Sequence, residues 1–488
     1  MARSIQSGLL GLADELLIQI VQHIDSSQDL CSLAVTCSQL QVFAEPALYS
    51  SILIQNGSRA LKFFTSIVRM QARASFVRKL HIQYRSEDEE GVEILNLALL
   101  HLRKLKELLI EAPCCNDNPR RRADFQNQGK IDYAAYFGFA SSMTLGPQPR
   151  VQIPLETLIL HSHNARGPGR EVFDMGKNAV IFLHPTLRNL TISCFDIGEN
   201  IEPYLSASKN STVLRSLTFD ECNITIKGLA AILSVPKSLE RLTIGERMHH
   251  TSHHEPLGRY PARFLEALIL QERSLQYVKH IGGRTNLPHN STNLSMATFS
   301  NVRRMELDTK SILTQILEET APPWTPTIPS NLSLCILLPC YQFHLNDKDD
   351  VWNKPMVSMI EWLGRVSNLD IVVDFGGRNN IDYVIQSLWK GKLGPRYLHR
   401  ILSLVGPGRE NAQLDKRRLR IFVVRWTGFI PPYMYGEKRP EEELLFDSDA
   451  YIPVPDDNME GCEGSEGSEG SEAPEEDNDS VDSGEDFD

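Results

Sequence analysis

Leu214-Arg215-Ser216-Leu217-Thr218-Phe219-Asp220-Glu221-Cys222-Asn223-Ile224-Thr225-Ile226-Lys227-Gly228-Leu229-Ala230-Ala231-Ile232-Leu233 is the stretch on which the fold turns. Leu217 and Phe219 alternate with polar residues, as on a short strand with one face inward, and a helix is predicted from about Lys227. The phrase Leu-x-x-Leu-x-apolar that opens this stretch recurs at Leu155-Leu158-Leu160, Leu187-Leu190-Ile192 and Leu239-Leu242-Ile244. The four starts lie 32, 27 and 25 residues apart. Weaker copies stand at Val77-Leu80-Ile82, Leu105-Leu108-Ile110 and Val302-Met305-Leu307, while Leu265-Leu268-Leu270 reads equally well as a buried helix. One such phrase is any amphipathic strand; several at near-constant spacing predict one strand plus a returning helix or loop per turn of a solenoid.

The phrases resemble a leucine-rich repeat array, and the Leu214 unit resembles its cysteine-containing type. That resemblance implies an α/β fold in which Cys222 or Asn223, once buried, satisfies backbone groups where strand bends into loop. Between Leu105 and Leu155 the interval grows to 50 residues and carries Pro113 to Arg122 and then Tyr133, Tyr136, Phe137 and Phe139. An insertion at 113–150 must leave the array, either as a contact surface or as an excursion packed on its rim. Prolines at 322, 323, 326 and 329 suggest a boundary near 320. Residues 321–435 then alternate strand and helix patterns, as further α/β repeats or as a separate lobe. The solenoid proper is expected over 51–320.

Ahead of the array lies Leu12-Ala13-Asp14-Glu15-Leu16-Leu17-Ile18-Gln19-Ile20-Val21-Gln22-His23-Ile24. Apolar residues at 12, 16, 17, 20, 21 and 24 stripe one helix; 30, 33, 34 and 37 stripe a second, with Asp29 expected as its N-cap. Leu40, Phe43 and Ala44 predict a third, stopped near Pro46. About 40 residues bury too little surface to stand alone, so a partner or the following domain should cover the remaining apolar face.

Residues 9–50, with their ending Glu45-Pro46-Ala47-Leu48-Tyr49, resemble the F-box family in its fungal form: a three-helix module that docks on a Skp-type adaptor in Skp-cullin-F-box ubiquitin ligases. Ala13 stands where the family usually has proline. The resemblance implies a substrate receptor whose partners are the adaptor, through it a cullin, and a target protein held by the leucine-rich body. Leu12, Leu16, Leu17, Ile20, Val21, Ile24, Leu30 and Leu33 would form the adaptor contact or the packing directly beneath it.

The chain has 488 residues, 41% of them hydrophobic, enough for a large core or several domains. Its net charge of −12 hides an asymmetry: residues 437–488 hold 21 Asp and Glu against Lys438 and Arg439, a net of −19, leaving +7 for residues 1–436. The acidic tail spans 436–488 and, from about 456, lacks the apolar residues that would offset ordering entropy, so disorder is expected there. A surplus of +7 spread along 436 residues does not predict a nucleic-acid partner. Nine unpaired-looking cysteines, no signal peptide pattern and no apolar run of about 20 residues predict a cytoplasmic or nuclear protein with no membrane partner.

Catalytic chemistry finds no purchase. No nucleophile turn, phosphate loop or cofactor fingerprint occurs in its required context, so no catalytic residue, cofactor or metal is expected. His249-His250-Thr251-Ser252-His253-His254 comes nearest to a metal cluster, and Cys335 with Cys340 is weaker still. Gly-Pro-Gly-Arg at 167–170 and 406–409 reads as turns, and Lys416-Arg417-Arg418-Leu419-Arg420 as a solvated strand edge. Two alternatives to the receptor stay open: a ligase-independent interaction scaffold and an enzyme with an unrecognised site.

Overall fold

The computed structural model describes residues 8–84, 88–113, 131–142, 154–163, 173–246, 257–282, 294–319, 331–339, 366–374, 418–425 and 441–449. Contacts divide the chain into Met1–Asp449 and Ala450–Asp488, and the second unit lies outside the described residues. The histidine cluster at 249–254, both Gly-Pro-Gly-Arg turns, Cys340, and Lys416 with Arg417 lie outside them too.

The first unit is mixed α/β: helices at the N-terminus, then a large sheet. The helices are α1 (Asp14–Gln22), α2 (Ser27–Ala34), α3 (Ser38–Ser50), α4 (Gly57–Arg69) and α5 (Gln71–Phe76). The strands run β1 (Ser51–Ile54), β2 (Lys79–Gln83), β3 (Glu107–Pro113), β4 (Thr157–His163), β5 (Phe173–Asp174), β6 (Asn189–Ser193), β7 (Phe195–Ile197), β8 (Ser216–Ile224), β9 (Arg241–Glu246) and β10 (Tyr277–Ile281). They continue as β11 (Arg304–Asp308), β12 (Ser333–Pro339), β13 (Asn368–Asp374), β14 (Arg418–Arg425) and β15 (Glu441–Asp447).

Along β1-β2-β3-β4-β6-β8-β9-β10-β11-β12-β13-β14 each strand pairs in parallel with its predecessor, and β15 closes the row antiparallel to β14. The short β5 and β7 pair beside the end of β8. Parallel neighbours need a crossover, and the crossovers vary: helices at Ile226–Leu233 and Pro261–Ile269, but 3-10 turns over Gly176–Leu183.

Register explains why the leucine phrases matter. Ile52, Leu80, Leu108, Leu158, Leu190, Leu217, Leu242, Val278, Met305, Leu334, Leu369 and Leu419 stand opposite one another in successive pairs. From Leu80 onward all are buried. Two residues on, a second row runs from Ile54 through Ile82, Ile110, Leu160, Ile192, Phe219 and Ile244 to Leu307, Ile336, Ile371 and Ile421. Such parallel rows stack one residue per strand into a continuous core, each worth about 1.5–3 kcal/mol relative to exposure. His280 alone interrupts the second row. It is fully buried, and both ring nitrogens are bonded, Nδ1 to Ser311 Oγ at 2.7 Å and Nε2 to Glu246 Oε1 at 2.7 Å.

The Leu214 unit behaves as its residues suggest. The Cys222 thiol is fully buried and donates to the Ile192 carbonyl at 3.3 Å, crossing to the neighbouring strand where β8 bends. Burial pushes that thiol up to about 12, so it is inert. Glu221 in β8 and Cys194 between β6 and β7, each one residue past the paired Asp220 and Ser193, both adopt left-handed backbone (φ 53° and 63°), which marks the bend in each.

Three local readings are corrected, and one left open is decided. Ser26, not Asp29, caps α2: its hydroxyl accepts the Asp29 N–H at 3.2 Å, placing Asp29 inside the first turn. α3 runs through Pro46 to Ser50; the carbonyl that Pro46 cannot bond belongs to Val42, which is exposed, so water can serve it. Leu265 and Leu268 belong to the helix Pro261–Ile269 and not to a strand. Arg418 and Arg420 lie within a paired strand and are not solvated cations on a sheet edge. Arg418 is bonded to Asp447, and Arg420 grips Asp370 at 2.8 and 2.7 Å.

Candidate functional site

The N-terminal helices carry the candidate site. α1 and α2 both pack on α3, and α1 divides its apolar residues between two faces. Leu17 and Val21, one helical turn apart, are buried at 1% and 3% exposure. Leu16 and Ile20, also one turn apart, form a second row, exposed at 46% and 41%, and Leu12, extended just ahead of the helix, is 39% exposed. A helix side of that spacing is a continuous stripe, so the two rows lie side by side. Leu30 is buried, while Ile24 and Leu33 are half-buried at the margin.

Further apolar surface, not singled out by the periodicity, accompanies the outward row. Leu9, Leu10 and Ile18 are exposed at 38–44%, and Val35, just past α2, at 84%. Their signal in the sequence is excess: α1 has more aliphatics than one buried stripe can hold. Exposed apolar side chains in such number on a small helical segment mark a candidate contact surface among the described residues.

The phrase Glu45-Pro46-Ala47-Leu48-Tyr49 does a different job. Glu45 receives Arg73 of α5 at 2.6 Å and Gln41 at 2.8 Å. The Arg73 guanidinium lies 5.3 Å from the Tyr49 ring centre and also reaches Ser66, whose hydroxyl bonds Tyr49 at 2.6 Å. These contacts tie α3 to α4 and α5 and hold the three-helix head on the body, with α3 leading straight into β1. The Arg73 bond keeps the Glu45 carboxyl below the usual carboxylate range.

On the sheet, burial raises the Glu111 carboxyl to about 7, against a bond from Gln83 at 2.9 Å. Glu111, His161 and Ser193 occupy equivalent positions on β3, β4 and β6, and all three are buried. Among the described residues no three His, Cys, Asp or Glu side chains gather as a metal site, and no helix is long and apolar enough to cross a membrane. No protein-family model matches the chain, and no curated protein matches it.

Proposed function

We propose that the chain is the substrate-recognition subunit of a Skp-cullin-F-box ubiquitin ligase. In this reading residues 9–50 are an F-box module that grips a Skp-type adaptor, and the sheet body is an irregular leucine-rich-repeat solenoid that presents a target protein. Ubiquitin transfer itself takes place on other subunits.

The observation that carries the proposal is the divided helix α1. Leu17 and Val21 satisfy the head's own packing, and Leu12, Leu16 and Ile20 remain outside. Fully burying such side chains yields about 1.5–3 kcal/mol each, of which the cost of association takes a large part. Leu12, Leu16 and Ile20 therefore supply the apolar centre of the proposed contact. The body supports the reading through its sequential parallel strands and leucine rows, the arrangement a repeat array needs.

Reconstitution tests it. Full-length protein mixed with purified adaptor and cullin is expected to elute as one complex. Recovery of the adaptor without cullin would favour a ligase-independent scaffold, and recovery of neither would overturn the assignment.

A further inference from the structure

Arginines that are scattered in the sequence converge at one end of the sheet. Where strands β6, β8, β9, β10 and β11 begin, backbone N–H groups link the preceding residues into a row: Arg215 to Arg188, Glu240 to Arg215, Gln276 to Glu240 and Arg303 to Gln276. The adjoining row holds Arg241 opposite Tyr277 and Tyr277 opposite Arg304. Five arginines thus stand along four strand spacings, roughly 19 Å.

Their charges are unequally used. Arg215 is paired with Glu240 at 2.9 Å and Arg304 with Glu306 at 2.9 Å. Arg241 covers the Tyr277 ring at 4.3 Å. Arg188 and Arg303 are exposed and have no carboxylate partner among the described residues. Arg188, Arg241 and Arg303 follow one another at two-strand intervals, about 10 Å, the distance an extended polypeptide covers in roughly three residues.

We infer that this strip docks an acidic polypeptide segment in polyproline II conformation, about 9 Å per three-residue turn, in which carboxylates at every third residue share one face. Guanidinium forks match carboxylates bidentately. A nucleic-acid strand fits less well: the Tyr277 face that would stack a base is already covered by Arg241. The inference deepens the receptor reading by giving the class of its target. It is tested without adaptor, so its failure leaves α1 docking untouched.

The probe is a fluorescent peptide of Glu-Ala-Ser repeated four times, titrated with full-length protein, beside a Gln-Ala-Ser control and a twelve-nucleotide oligo-dT. The acidic peptide is expected to bind, the neutral one not, and the oligonucleotide more weakly than the peptide. Arg188→Gln with Arg303→Gln is expected to weaken the peptide by at least about fivefold, with Arg241→Gln alone giving a smaller loss. Both residues of the double variant are exposed, so an unchanged melting curve is expected alongside. No binding by the wild type, undiminished binding by the double variant, or tighter binding of oligo-dT would each overturn the inference.

Discussion

The head and the sheet body are built from the same aliphatic residues placed at regular intervals, yet they spend them oppositely. In the body Leu80 through Leu419 find a partner on the next strand of the same chain, so the rows are buried from end to end. In the head, one row of α1 is buried and the row beside it is left in solvent. Repetition supplies its own cover; a module of three short helices does not. Apolar periodicity alone therefore identifies structure, and function begins where the periodic residues exceed what the fold can bury.

Substitutions at equivalent residues of the two regions break this contrast most strongly. Leu217→Ala in the body is expected to cost about 3–5 kcal/mol in chemical unfolding, since a filled row leaves a cavity that strands above and below cannot close. Leu16→Ala on the outward row of the head is expected to shift the same curve by less than about 0.5 kcal/mol.

The next effect depends on pH. Glu111 is raised from its ordinary value near 4.5 to about 7, so the folded protein holds a proton that the unfolded chain releases. Its ionisation weakens the fold as pH rises from about 4.5 through 7. Glu111→Gln is accordingly expected to stabilise the protein at pH 8, by as much as about 3 kcal/mol, and to make no difference near pH 4. Melting temperatures of the two proteins across that range check both the sign and the window.

Glu45 behaves in the reverse sense. Its carboxyl is lowered by Arg73, so the pair contributes stability above the unfolded carboxylate value, lost as pH falls through the lower folded one. Arg73→Ala is expected to cost about 1–2 kcal/mol at pH 7, with the part owed to Glu45 lost as pH falls through the lowered carboxylate value while the part owed to Ser66 and Tyr49 persists. A smaller effect, of opposite sign, belongs to Ala13. Its φ of −63° is the value a proline ring imposes, and Leu12 before it is already extended, at φ −74° and ψ 154°. Ala13→Pro is expected to gain about 0.4–1 kcal/mol by restricting the unfolded chain, read as a small rise in melting temperature.

Much of the body was legible because each strand carries its own short signature. The phrases at Val77, Leu105, Leu155, Leu187, Leu214, Leu239 and Val302 all coincide with strands of the sheet. The phrase Leu275-Val278-His280 escaped because a histidine fills the apolar place, tolerated only by bonds to Ser311 and Glu246 that no local pattern foretells. Acidic β15 escaped because Glu441-Glu442-Glu443 reads as tail; what orders it is Phe446, buried, and Asp447 on Arg418. In the head the eight apolar residues were visible as a stripe. Which of its two rows faces inward depends on where α3 lies, and spacing alone does not carry that.

The most direct test compares affinity with stability at Ile20. Calorimetric titration of a purified Skp-type adaptor into full-length protein is expected to show binding to the wild type and at least a hundredfold loss for Ile20→Asp, about 2.7 kcal/mol, with the two melting curves superimposed. Unchanged affinity for Ile20→Asp, or no binding by the wild type, would contradict the assignment of α1 as a docking helix.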